Sequence, residues 1–358
     1  MNNWQETSLG EVADFENGKA HEQCIHDDGD YIVVNSKFIA SEGKEYKRSN
    51  KNLSPLEKDT IVMVMSDIPN GKALAKCFFI DQTGKYTLNQ RICSLKSKEG
   101  VDSRFLYYVL NRHSYYLQFD SGVGQTNLRK DEVLDCPVPL PPLPEQKRIA
   151  EILGTWDRGI DVVRLIRYKY SQYLKNIRKK IFFYDRTYAV QRLGDLVVLN
   201  YGKSPKEIVS DDGKYPIIGT GGSSGKAKAP LCRSAGVVIG RKGTIDKPQF
   251  LTQPFWAIDT TYYVEESPNY DLLWIYHLFY SLNLKQYNES SGVPSLNRET
   301  IYDLDVHVPD IKIQKSIGLM LDEIEQSTIL IKTLTEKLQN QKQGLMQKLL
   351  TGKIRVKV

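Results

Sequence analysis

The chain has 358 residues, 41% of them hydrophobic and 26% charged, proportions that predict a globular protein of at least two domains, each able to bury its own core. Five cysteines (Cys24, Cys77, Cys93, Cys136, Cys232) and five histidines are scattered without a C-x-x-C pair, which argues against a disulfide frame or a zinc site, and no metal site is expected. A net charge of +6 favours an acidic partner only mildly. No apolar run nears the ~18 residues that cross a bilayer, and Met1-Asn2-Asn3-Trp4 lacks a basic, apolar leader; a soluble, cytoplasmic chain with no membrane partner is expected.

In chain order, the first half opens with Leu9-Gly10-Glu11-Val12 and Asn17-Gly18-Lys19. β-branched runs at Tyr31-Ile32-Val33-Val34 and Thr60-Ile61-Val62-Met63 predict strands. A polar loop follows at Asn70-Gly71-Lys72, and an apolar-aromatic segment predicts a helix from Phe105 to Leu110. After a Ser121-Gly122-Val123 turn come Gln125-Thr126-Asn127-Leu128-Arg129 and a short strand that begins the proline-rich run from Pro137 to Pro144. Proline fits a first helical turn and no later one, so the run marks the start of a helix.

The second half repeats this order. Leu193-Gly194-Asp195-Leu196 and Tyr201-Gly202-Lys203 open it, and strands are predicted at Tyr215-Pro216-Ile217-Ile218 and Gly236-Val237-Val238-Ile239. A helix from Leu272 to Leu278, the Ser291-Gly292-Val293 turn, Ser295-Leu296-Asn297-Arg298 and Val306-His307-Val308-Pro309 complete it. A shift of 168 positions carries Gln146-Lys147 onto Gln314-Lys315 and the stretch to Phe182 onto the stretch to Leu350, without a gap. Ile149, Leu153, Trp156, Ile160, Val163, Tyr170, Leu174, Ile177 and Ile181 follow a heptad seam broken at Arg167; Ile317, Leu321, Ile324, Ile331, Leu338, Leu345 and Leu349 follow the partner seam, with Thr328, Thr335 and Lys342 filling it. A seam kept over about five heptads predicts coiled-coil helices of ~55 Å.

The predicted fold class is α+β: two similar globular domains separated by two long antiparallel helices, a pseudo-two-fold repeat. The divisions fall at 1–140, 141–184, 185–309 and 310–358. The tail from Thr351 to Val356 aligns with the segment leading into the second domain, so the two termini are expected to lie together. Basic clusters at Arg178-Lys179-Lys180 and from Lys342 onward suit phosphate contacts and helix C-termini equally.

This constellation resembles the specificity subunit of type I restriction-modification systems. The resemblance is carried by Pro-Leu-Pro-Pro-Leu-Pro-Glu-Gln-Lys-Arg-Ile-Ala from Pro139 to Ala150 and by Gly344-Leu345-Met346-Gln347-Lys348-Leu349-Leu350-Thr351-Gly352-Lys353, and it spans essentially the whole chain. The second helix departs from the pattern, with Pro309-Asp310-Ile311-Lys312-Ile313-Gln314 in place of the full proline run. The resemblance implies a non-catalytic subunit whose globular domains each read half of a split, asymmetric site on double-stranded DNA. It also implies that the helices space the half-sites and dock modification (methyltransferase) and restriction (translocase and nuclease) subunits. No cofactor is then expected on this chain; S-adenosylmethionine, ATP and Mg2+ belong to those partners.

Base readout needs side-chain donors and acceptors in turns that the core does not use. The candidates are Lys19, Lys72, Gln125, Asn127 and Arg129 in the first domain, and Lys203, Lys226, Arg241, Lys242, Ser295, Asn297 and Arg298 in the second. Asn127 and Asn297 suit turn capping as well as base contact. The loop from Gly219 to Lys226 is expected to be flexible and basic; the paired tyrosines 107–108, 115–116 and 262–263 are expected in the core. Ile149, Leu153, Trp156, Ile160, Val163, Ile317, Leu321, Ile324, Ile331 and Leu338 are the candidate seam and docking residues.

Enzyme readings do not survive spacing. The Gly225-Lys226 loop has Thr220 and Ala227 where a phosphate-binding loop needs glycine and Ser or Thr. Asp310 has no partner acidic-x-Lys element and reads as a helix cap. The rival readings are a stand-alone bipartite DNA-binding regulator with a coiled-coil spacer, and an unrecognised metal-dependent nuclease.

Overall fold

Three sheets recur in each half of the chain, and the first half adds a short two-stranded pair, Ser66–Asp67 with Thr126–Asn127. In the computed structural model, which describes residues 4–68, 71–184 and 187–357 (of Tyr184 the backbone only), the first half holds an antiparallel sheet ordered Ala13–Asn17, Ile92–Ser97, Ile61–Val64, Cys77–Phe79. The second half holds its counterpart, ordered Asn200–Tyr201, Thr261–Glu265, Gly236–Gly240, Gln249–Leu251. Three-stranded sheets accompany them: Lys47–Ser49, Tyr31–Val34, Tyr86–Leu88 in one half, and Gly222–Ala227, Tyr215–Gly219, Trp256–Ala257 in the other. In both, the last pair is parallel. A two-stranded ladder closes each domain, Gln5–Ser8 on Pro137–Leu140 and Ala189–Arg192 on Asp305–Val308. The strands Ile61–Val64 and Gly236–Gly240 are buried at every position, which is why their sequences run apolar instead of alternating.

Two details show why the repeated residues are where they are. A Cβ at Gly18 would lie 2.0 Å from the Asn89 carbonyl oxygen, and one at Gly202 would lie 1.9 Å from that of Ile258; the backbones touch there, and only glycine fits. Gln146 and Gln314, both buried, are equivalent brackets. Each side-chain oxygen accepts from the backbone N–H of a helix cap, Asp102 at 2.8 Å and Asp271 at 2.9 Å. Each amide nitrogen donates to a proline carbonyl, Pro141 or Pro309. The caps in turn accept from Phe105 and Trp274 N–H and start the helices Ser103–Leu110 and Leu272–Ser281.

The two long helices are Leu143–Lys179 and Ile311–Leu350. The first passes into a π-helical turn at Lys180–Tyr184. Contacts divide the chain into two compact units, Met1–Asp161 with Glu336–Val358, and Val162–Thr335. In the first unit Ile149 and Leu153 are fully buried in the core together with Leu349, and Leu345, Met346 and Leu350 pack against it. In the second, Leu174 and Phe182 are buried with Leu321, while Ile177, Ile317 and Ile324 pack alongside. Within each unit the start of one helix therefore lies beside the end of the other, an antiparallel pairing.

Residues near the two ends of the described chain meet inside the first unit. Glu145 accepts two hydrogen bonds of 2.7 Å from the Arg355 guanidinium and one of 3.2 Å from the Trp4 indole N–H. Arg355 holds the Glu145 carboxyl below its usual range. Three expectations need correction. The segment from Gly219 to Lys226 is no flexible loop: Gly219 and Gly222 close a hairpin whose second strand is Gly222–Ala227. Glycine permits it, with Gly222 at φ +120° and Gly225 at φ +154°. Tyr170, placed in the seam by spacing, is 42% exposed. Of the seam residues expected to dock partners, Ile149, Leu153, Ile160 and Leu321 are buried.

Candidate nucleic-acid interface

In the first domain the candidate readers alternate with buried residues. Gln125, Asn127 and Arg129 are exposed, whereas Thr126 and Leu128 between them are buried. The short strand Thr126–Asn127 is antiparallel to Ser66–Asp67, with Asn127 opposite Ser66; side chains at alternate positions then share one outward face. Gln125 donates to the Ser66 hydroxyl at 2.6 Å. Asp67 shapes the next loop by accepting from Ala73 and Leu74 N–H at 2.7 and 3.0 Å. That loop carries the exposed Lys72 beside the same strand pair. Its neighbour Asn70, part of the expected loop, lies outside the described residues. Arg129 is engaged by Glu132, at 2.8 and 3.0 Å, an exposed pair that water and salt weaken.

The second domain builds the same edge from different side chains. Lys242 bridges to Ser295, and Leu296 N–H donates to the Arg241 carbonyl at 2.9 Å, as Leu128 N–H donates to Met65 at 2.8 Å. Asn297 is the N-cap of Arg298–Tyr302 and accepts from Glu299 N–H at 3.0 Å. The capping alternative therefore holds for its oxygen, and its amide N–H2 remains the group able to donate. Arg241 and Arg298 lie over the exposed Tyr201 ring, 5.7 and 5.1 Å from its centre, and Arg241 also donates to the Asp259 carbonyl. A Cβ at Gly243 would lie 3.4 Å from the Thr220 hydroxyl oxygen, so the hairpin tip adjoins this edge. Lys226 is exposed opposite Pro216, at the far end of its strand from that tip.

Lys19 and Lys203, both exposed, reach these edges through equivalent backbone chains. Beside Lys19, Gly18 N–H donates to Ile92, Met65 N–H to Arg91, and Leu128 N–H to Met65. Beside Lys203, Gly202 N–H donates to Thr261, Arg241 N–H to Thr260, and Leu296 N–H to Arg241. This alignment adds a candidate that sequence reading missed. Arg91 is exposed at φ +68°, a left-handed backbone that nothing local to an arginine announces. Of the paired tyrosines, Tyr108, Tyr116, Tyr262 and Tyr263 are buried, and Tyr107 and Tyr115 are half-buried against the first core.

Along the helices, Ile149, Leu153, Ile160 and Leu321 are buried, and Trp156, Val163, Ile317, Ile324, Ile331 and Leu338 partly so. They form seam and core, and the fully buried ones cannot face a partner. The accessible apolar groups lie elsewhere, in the second unit: Val162, Leu165, Ile166 and Tyr168 on the first helix, Ile329, Leu330 and Leu334 on the second. The 168-residue shift places Val162 on Leu330 and Ile166 on Leu334, so the exposed face repeats as well. Heptad reading marks the inner seam and is blind to an outer apolar face.

Among the described residues one group, His277, Asp322 and Glu325, brings ligand-type atoms within 4.8 Å of one another. The Arg178 guanidinium already bonds His277 and Glu325 there. Asp310 accepts from Lys312 and Ile313 N–H and caps the second long helix.

Comparison with known proteins agrees with this architecture. The chain is 22% identical over 411 aligned residues to the type I restriction enzyme MjaVIII specificity subunit of Methanocaldococcus jannaschii, covering 99% of this chain and 93% of the relative. The fold is similar to a type I restriction-modification S subunit from M. genitalium, with TM-score 0.69 and 18% identity over 97% of this chain and 96% of the other. It is also similar to a chain from a structure of the type I system that addresses complex assembly and conformational transition, at TM-score 0.59 and 15% identity, covering 97% of each chain. The model of the type I restriction modification DNA specificity domain matches residues 1–167 and 185–340, once for each half, and the chain belongs to that family.

Proposed function

We propose that this chain chooses the DNA sites of a type I restriction-modification complex and leaves catalysis to its partners. The observation that carries the reading is the duplicated edge with unequal chemistry. Asn127, Arg129, Ser66 and Arg91 in one domain correspond to Ser295, Asn297, Lys242 and Thr260 in the other. Arg favours guanine and Asn favours adenine, whereas Ser and Thr serve either. Two similar readers with different donor sets call for a bipartite, non-palindromic target. Lys19, Lys72, Lys203, Lys226 and Lys242 suit the phosphates on either side, which fix register without reading sequence.

The repeated outer face around Val162 and Leu330 suits two copies of one partner, the modification subunit, because equivalent positions present like groups. Restriction subunits join that assembly. The partners carry S-adenosylmethionine, ATP and Mg2+, and the complex works in the cytoplasm. The stand-alone regulator has no observation in its favour.

Mapping methylated adenines in cells with and without this gene, with the modification subunit intact, tests the reading. A split motif should disappear with the gene. A methylation pattern that stays the same would refute it.

A further inference from the structure

In each unit three side chains from three different helices converge on one charged contact. In the first, the Tyr108 hydroxyl donates to Asp157 at 2.7 Å and Lys342 donates to the other oxygen of that carboxylate. The Lys342 ammonium also lies 5.1 Å from the centre of the Tyr108 ring. In the second, the Arg178 guanidinium donates to His277 Nδ1 at 2.8 Å and to Glu325 at 2.8 Å, and lies 4.5 Å from the Tyr280 ring centre.

These contacts occupy equivalent places. Tyr108 and His277 each stand six residues after the aspartate that caps their recognition-domain helix. Asp157 and Glu325 are related by the 168-residue shift. In both units one long helix supplies the carboxylate, the other the cation, and the recognition domain the third group. The cation changes helix between the two units, Lys342 from the second and Arg178 from the first, as an antiparallel pairing requires.

We propose that these triads are positioning residues: each fixes the angle at which its recognition domain stands on the helix pair, and thereby the phase of its half-site. The inference rests on the bipartite-reading function. Its physical basis is that charge-assisted contacts are short and directional. A domain joined to two rods by three groups at one point has little freedom to rock about either rod. Apolar seam contacts alone are non-directional and would tolerate such rocking. His277 is fully buried and Arg178 nearly so, so water cannot substitute easily for a lost partner in the second unit.

The test uses the chain assembled with its modification subunit. Methylation rates are compared on DNA carrying the native gap between half-sites and on DNA with one base pair added or removed. Asp157→Asn and Glu325→Gln keep side-chain shape while removing charge. The expected result is a rise of about tenfold in the rate on altered-gap DNA relative to native, the size of effect that loss of one charge-assisted contact can produce. Reversing the first pair, Asp157→Lys with Lys342→Asp, should restore much of the gap preference. A purely structural role would lower all rates together and leave the ratio unchanged, and that outcome would overturn the proposal. If the unaltered complex methylates no bipartite site, the failure lies with the function and not with the triads.

Discussion

Arg129 and Asn297 occupy the same N-cap position in the two domains, yet one side chain is paired with Glu132 and the other caps its own helix. Their substitutions should therefore behave differently. Asn297→Ala should cost about 1 kcal/mol of stability through the lost cap, as well as any base contact. Asn127→Ala, on a strand whose neighbours Thr126 and Leu128 hold the fold, should leave melting unchanged and weaken discrimination at one base pair by ~1–3 kcal/mol. Thermal melting beside methylation of single-base-variant sites separates the two. His277 gives a pH signature. Burial first, and the nearby Arg178 second, push its imidazole down to about 3. With the folded value lowered, the unfolded chain binds the proton first, so stability is whole above ~6.5 and falls as pH drops from there toward 3. The slope should approach one proton, about 1.4 kcal/mol per pH unit, and denaturant melts of His277→Gln should lose it. Glu145, lowered by Arg355, contributes stability above its unfolded value of ~4.3 and loses it only at more acid pH.

At the scale of the element, the helices were the most legible part of the chain. Heptad spacing located both, and the proline run before the first and Pro309 before the second bounded their starts, since proline constrains backbone locally. The outer face was not legible. Val162 and Leu330 fall off the seam and look like ordinary surface residues until the buried seam is known. Changing both to Glu should leave the fold intact, because both are exposed, yet prevent co-purification with the modification subunit. Retained assembly would exclude that face as the docking site. Shortening both helices by one heptad in register, ~10 Å, should shorten the preferred gap between half-sites or abolish assembly; an unchanged gap would show that helix length does not set spacing.

For the whole molecule, modularity is the testable consequence of the repeat. Each recognition domain has its own sheets and core clusters, and its chain enters and leaves through one two-stranded ladder. Exchanging the two domains should exchange the half-sites in the methylated motif, read by mapping methylated adenines. An unaltered motif after exchange would mean that readout is not carried by the domains.

The repeat, the α+β class, the long helices, the capping role of Asp310 and the meeting of residues near the two ends were all readable from sequence, because periodicity, proline and near-identical spacing act locally or by internal comparison. Tertiary structure alone decided the rest. Arg91 joins the candidate edge only through a backbone chain linking three segments, the Gly-rich stretch becomes a hairpin because Tyr215–Gly219 offers it a partner, and Tyr108 finds Asp157 and Lys342 across 49 and 234 positions. Contacts between residues so far apart depend on how helices and sheets pack, and no local pattern of side chains encodes them.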